Sequence, residues 1–171
     1  MRGWLFILGF GLALPAMAAS DTDYTRSLPE PGYKYCSSAI NQVANWLVGQ
    51  AASSFGIWST RDADSHISVL TASKRYPDGS GLMHLSTLRS PAGGCDVSFN
   101  LTVTTDKPCD TFRDTAFKSW NPYGGTQAIP ILSDPNANNV QVAIQPLGTG
   151  CVVNKMGVMF IDPEKLKSIQ K

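Results

Sequence analysis

The sequence predicts an α+β domain: an antiparallel sheet of about six strands with two amphipathic helices packed on it, stapled by two disulfides. Three observations carry that expectation. The four cysteines fall into two matching frames, Cys36 with Gly94-Cys95 and Cys109 with Gly150-Cys151. Each frame opens with a cysteine on the apolar stripe of a helix and closes with a Gly-Cys step that begins a strand. Hydropathy changes from helical spacing to alternation in the same order within both frames. The chain also opens with an export signature, and in an oxidising compartment an even cysteine count implies disulfides.

That signature occupies residues 1–19. Arg2 supplies the positive start, residues 4–14 form an apolar run too short to span a bilayer comfortably, and Ala16-Met17-Ala18-Ala19 offers small residues for cleavage after Ala18 or Ala19. No cysteine follows the apolar run, which excludes a lipoprotein anchor. A second run of spanning length is absent, so no stable membrane insertion is expected after cleavage. Residues 20–33, with Pro29 and Pro31, read as an extended lead-in. Residues 34–171 have the length of one domain. The 14 basic and 13 acidic residues balance once Arg2 is removed. A neutral chain without a Lys/Arg cluster argues against nucleic acid or an anionic membrane as partner. Lys165, Lys167 and Lys171 make the tail locally basic and read as a solvated helix end.

The first helix starts at Cys36. Ala39, Ile40, Val43, Ala44, Leu47 and Ala51 complete its apolar stripe, Asn41, Gln42, Asn45 and Gln50 lie opposite, and Gly56 is the expected stop. Residues 57–64 form a transition with a solvated turn at Arg61, Asp62 and Asp64. Strands follow at residues 66–75 and 82–89, joined by Pro77-Asp78-Gly79-Ser80, a hairpin signal. The third strand is the clearest: Cys95, Val97, Phe99, Leu101 and Val103 alternate with Asp96, Ser98, Asn100, Thr102 and Thr104. One of its faces is therefore buried, the other wet, and Cys95 belongs to the core.

The second half restarts at Asp106, an N-cap, with Pro108 in the first turn. Cys109, Phe112, Ala116, Phe117 and Trp120 make its helical stripe. A loop at residues 121–125 precedes strands at 127–132 and 139–145. Gly150-Cys151 opens the last strand, which runs to Ile161. Lys155 and Gly157 stand where its alternation calls for apolar residues, so a bulge is expected there. Residues 163–169 close as a short helix.

Each half thus reads helix, strand, strand, strand, with boundaries at 34–105 and 106–171. Measured from the cysteine, Ala39, Val43, Ala44 and Leu47 correspond to Phe112, Ala116, Phe117 and Trp120. Beyond the cysteines, few identities support a repeat; they include Lys34/Lys107, Gly94/Gly150 and Val97/Val153. Four cysteines permit three connectivities. Pairing within halves, Cys36 to Cys95 and Cys109 to Cys151, follows from a repeat; Cys95 to Cys109 with Cys36 to Cys151 is the rival.

Chemistry is sparse. There is no G-x-S-x-G elbow and no C-x-x-C pair for zinc, and Gly93-Gly94 and Gly124-Gly125 lack phosphate-loop context. The two glutamates, Glu30 and Glu164, sit in terminal segments, while Asp78, Asp106, Asp134 and Asp162 fit turns and caps. Neither a metal nor a cofactor is expected. Only His66 and His84 could serve as a base. Trp58, Arg75, Tyr76, Asp78 and Tyr123 combine aromatic or charged groups with loop positions, the usual anchors of recognition surfaces. Trp120 reads as core. Asn100-Leu101-Thr102 matches a glycosylation acceptor. The expected function is an exported, soluble binding or inhibitory module of the bacterial envelope. It would recognise a protein partner as immunity proteins and inhibitors do, without catalysis of its own. An accessory subunit of a secretion or conjugation apparatus, and a small periplasmic hydrolase using His66 or His84, are the other two readings.

Overall fold

A computed structural model describes Tyr24 and residues 35–49, 53–59 and 61–165 of the chain. The signal, most of the lead-in, Ala51 and Lys167 to Lys171 lie outside the described residues. Helix α1 spans Ser37–Val48. Strands β1 (Ser53–Ile57), β2 (Ser68–Tyr76), β3 (Gly79–Arg89) and β4 (Cys95–Thr105) follow, with a 3-10 turn at Ala63–Ser65. The second half holds α2 (Cys109–Asp114), β5 (Asn121–Gly125), β6 (Pro130–Asp134), β7 (Ala137–Leu147) and β8 (Gly150–Ile161). All eight strands join one antiparallel sheet of order β1-β2-β3-β4-β8-β7-β6-β5.

The sheet is larger than the six strands expected, because the segments expected as helix end and as loop pair at its two edges as β1 and β5. The first helix stops earlier than Gly56. Gly49 adopts a positive φ of 61°, and its N–H closes the helix on the Asn45 carbonyl at 2.9 Å. Lys74 Nζ then caps the Val48 carbonyl at 2.5 Å, and the Tyr24 hydroxyl donates to the Gly49 carbonyl. Ser53–Ile57 is thereby free to pair with β2. Strand β5, Asn-Pro-Tyr-Gly-Gly, has the composition of a turn and pairs with β6 through an irregular register. The second helix is also shorter than its stripe: it ends at Asp114 and buries no residue completely. Ala116 is exposed in the turn beyond it. Phe112 and Phe117 pack against Leu132, Val142, Ile144, Cys151 and Val153.

The bulge expected at Lys155 and Gly157 is not there. Strand β8 runs in unbroken register against both β4 and β7. The irregularities fall at Pro122/Gly124 and Ser133/Asp134 instead. Lys155 and Gly157 therefore keep the phase of Cys151 and Val153, and point to the face that the helices cover.

The strand order reads alike from either edge. Cys95 opposes Ile161, Cys151 opposes Thr105, and the Asn100–Met156 pair lies midway between them. A pseudo-twofold axis through that pair exchanges α1-β1-β2-β3-β4 with α2-β5-β6-β7-β8. The two Gly-Cys steps meet matching surroundings: a Cβ on Gly94 would lie 2.3 Å from the Ile161 carbonyl oxygen, and one on Gly150 would lie 2.2 Å from that of Thr105. Helix α1 packs on β3 and β4, and α2 on β7 and β8. Val103 and Trp120 touch both core clusters, so both helices cover one face. Disulfides tie each half internally, Cys36 to Cys95 and Cys109 to Cys151. Two disulfides fit an oxidising compartment. Among the described residues no helix is long and apolar enough to cross a membrane.

Candidate functional site

Two places depart from what the fold alone requires. The first is the strip of sheet between the helices, floored by β4 and β8. There Phe99, buried in the first half, corresponds through the pseudo-twofold to Lys155 in the second. The Lys155 ammonium lies 4.0 Å from the Trp46 ring centroid on α1, and 5.8 Å from that of Trp120 beyond α2. Trp46 also meets Phe99 edge to face at 5.5 Å, and remains 48 % exposed. Burial pulls the Lys155 pKa below the ordinary lysine value, against an opposing pull from Asp134. No carboxylate among the described residues pairs with this ammonium.

The second is the opposite face of the sheet, which no described element covers. Along β1 to β4 and β8 it presents Ser53, Ser73, Ser80, Ser86, Ser98, Thr102, Thr104, Asn100 and Asn154, by the alternation of register, while Thr71 on the same face is buried. Its ionisable side chains in those strands are Arg75, His84 and Asp96. One end is apolar: Leu88 and Phe160 flank Asp96 from either side, and Val69 and Ile57 lie one row further in. Phe160 is 71 % exposed, Ile57 62 % and Phe55 58 %.

No protein-family model, curated protein or solved structure matches this chain.

The residues singled out in the sequence do not converge on one of the two surfaces. Arg75 lies on the open face, where it lines a depression of about 570 Å3 with Ser73, Ser80, Leu82, Thr102 and Thr104. Tyr76 alternates to the helix side; burial raises its hydroxyl pKa, and its ring leaves Gly81 no room for a side chain. Asp78 occupies the β2–β3 turn, which does not protrude freely as a hairpin tip would. Its carbonyl accepts from the Asp106 N–H at 3.2 Å, and its carboxylate pairs with Lys107. The Lys107 hydrogen bond holds Asp78 below the usual carboxylate range. Trp58 is half-buried against the first core cluster, and Tyr123 is exposed on the edge strand β5.

The two histidines stand apart. His66 is exposed ahead of β2; His84 sits mid-strand on the open face, its Nδ1 3.0 Å from the Thr71 hydroxyl, with Asn100 opposite on β4. No described His, Cys, Asp or Glu residues cluster as a metal site would. Asn100, the glycosylation candidate, is half-buried beside Thr102. The sequence did carry a signal for the Lys155 site, since Lys155 and Gly157 break the apolar alternation. Trp46 gave none, because it lies off the helical stripe.

Proposed function

We propose that the chain is an exported protein-binding module of the bacterial envelope, periplasmic and inhibitor- or immunity-like, that meets its partner with the uncovered face of the sheet. The observation that carries this reading is the exposed apolar end of that face, built by Phe160, Leu88 and Ile57 around Asp96, with Phe55 exposed further along β1, beside a field of hydroxyl and amide side chains. Exposed apolar side chains rimmed by polar residues mark interaction sites on monomers. Charge depletion with apolar anchors is the composition of an interface centre. The partner surface that suits it is a polypeptide with few charges, offering apolar side chains and backbone or hydroxyl hydrogen-bonding groups. Such a surface gives a polyanion or an anionic membrane little to hold.

The test is site-specific photo-crosslinking in the envelope, with the reactive residue placed at Phe160, at Ile57 or, for comparison, at Arg113 on α2. One discrete adduct from the first two positions and none from Arg113 is expected, and the purified partner should lose activity when the protein is added. Equal adducts from all three positions, or none, would overturn the reading. An adduct to a component of an assembled secretion or conjugation apparatus, its activity unchanged, would replace the inhibitor by the accessory subunit.

A further inference from the structure

We propose that the gap between α1 and the α2–β5 connection is a binding site for a carboxylate, with Lys155 as its charged floor and Trp46 and Trp120 as its walls. It lies on the helix-bearing face, opposite the surface assigned to a protein partner, and does not depend on that assignment.

Lys155 stands where the fold calls for a core residue. Its pseudo-twofold counterpart Phe99 is 2 % exposed, and directly opposite Lys155 on β4 stands Leu101, also buried. An apolar residue at 155 would continue that core. A half-buried ammonium there works against folding unless something uses it. Its desolvation shows in the lowered pKa.

The surroundings of the ammonium leave it short of acceptors. The contacts described for it are the two indole faces, while Asp134 acts on it electrostatically from beyond ion-pair distance. Ring faces compensate charge but accept no strong hydrogen bond, so the donors of Lys155 remain available. A carboxylate supplies the missing acceptor. Charge-assisted hydrogen bonds of this kind are about twice as strong as neutral ones.

The indole walls constrain the ligand's body. A single point charge between two tryptophans suits a monoanion on an apolar or flat frame. A phosphate dianion calls for several convergent donors, which one lysine does not provide. A cationic ligand would be repelled. The frame could be a free aromatic acid or an acidic side chain of a polypeptide, and both present the same carboxylate.

Titrations followed by NMR test this on the exported chain with its disulfides intact. The probes are benzoate, N-acetylglutamate amide, benzyl alcohol and inorganic phosphate; the resonances are the indole N–H groups of Trp46 and Trp120. Saturable shifts with benzoate, N-acetylglutamate amide or both are expected, and which of the two binds tells the free acid from the side chain. Lys155→Met, which keeps the stem and removes the charge, should weaken binding by about tenfold or more, the loss of one charge-assisted hydrogen bond. Lys155→Arg should retain most of it, which separates a role for charge from a folding defect. Benzyl alcohol binding as well as benzoate, phosphate binding alone, no saturable shift, or undiminished binding by Lys155→Met would each overturn the proposal.

Discussion

Phe99 occupies the room that Gly157 leaves. The two residues oppose each other across β4 and β8, and a Cβ on Gly157 would lie 2.7 Å from the Phe99 ring and 2.6 Å from the Asn139 carbonyl oxygen. The ring in turn meets Trp46, which covers Lys155. A missing side chain on one strand thus sets the position of an indole on a helix. Gly157→Ala should cost about 1–3 kcal/mol by overpacking. Because the displaced ring carries Trp46 with it, the Trp46 indole N–H resonance should shift more than that of Trp58. An unchanged urea midpoint would show that the ring has somewhere else to go.

Thr87 is 1 % exposed, and its hydroxyl has no hydrogen-bond partner among the described residues. Its counterpart across the pseudo-twofold is the buried Ile144. Thr87→Val removes an unsatisfied polar atom without changing shape, so it should raise stability by about 1 kcal/mol. The urea midpoint should move up with an unchanged slope.

Lys155 makes stability depend on pH. Its pKa in the fold is lowered by desolvation, so between that lowered value and the ordinary lysine value the unfolded chain binds more protons than the folded one. Stability contributed by this residue therefore rises with pH across that window; below it, the full penalty of a half-buried ammonium applies. Lys155→Met should be the more stable protein at neutral pH, and its advantage over the parent should shrink as the pH climbs. Paired melting curves measure the difference, which cancels titrations common to both proteins. A constant gap would mean that the ammonium is not desolvated.

The two disulfides close loops with sequence separations of 59 and 42, and each should stabilise by about 4 kcal/mol in the chain-entropy model. Their local consequences differ. Helix α1 buries Ala39, Ile40, Val43, Ala44 and Val48, whereas α2 buries no residue completely. Replacing Cys109 and Cys151 by alanine should expose the amides of α2 to rapid hydrogen exchange while α1 stays protected. Replacing Cys36 and Cys95 should lower global stability with α1 still docked. Equal protection of α2 in both variants would contradict this.

Much of the framework was legible because it is periodic. The alternation of Cys95 to Val103 fixes which side of β4 is buried, and the Cys36 stripe fixes the buried face of α1. The edge strands were not legible. Ser53–Ile57 has only one large residue on each side of Gly56, and Asn121–Gly125 is made of turn formers; pairing with β2 and β6 decides both. Glycine misled at Gly56, which lies inside β1 rather than ending a helix, and informed at Gly94 and Gly150, where the backbone of a neighbouring strand leaves no room for a side chain. At the candidate site, Lys155 was visible as an interruption, but a bulge explained it equally well until the register was known. Trp46 needed the third dimension, because its ring meets Phe99 of a distant strand and Lys155 of the other half.

Neither disulfide crosses the seam between β4 and β8. Tension applied to the two ends of the chain would pass from Cys36 directly to Cys95, along β4, from Cys109 directly to Cys151, and out along β8. Everything enclosed by the two covalent loops would be spared. The points where that tension enters and leaves the seam, Cys95 and Ile161, face each other across it. The protein should therefore part like a zip from that end, one rung at a time, yielding two closed lobes joined by a short tether.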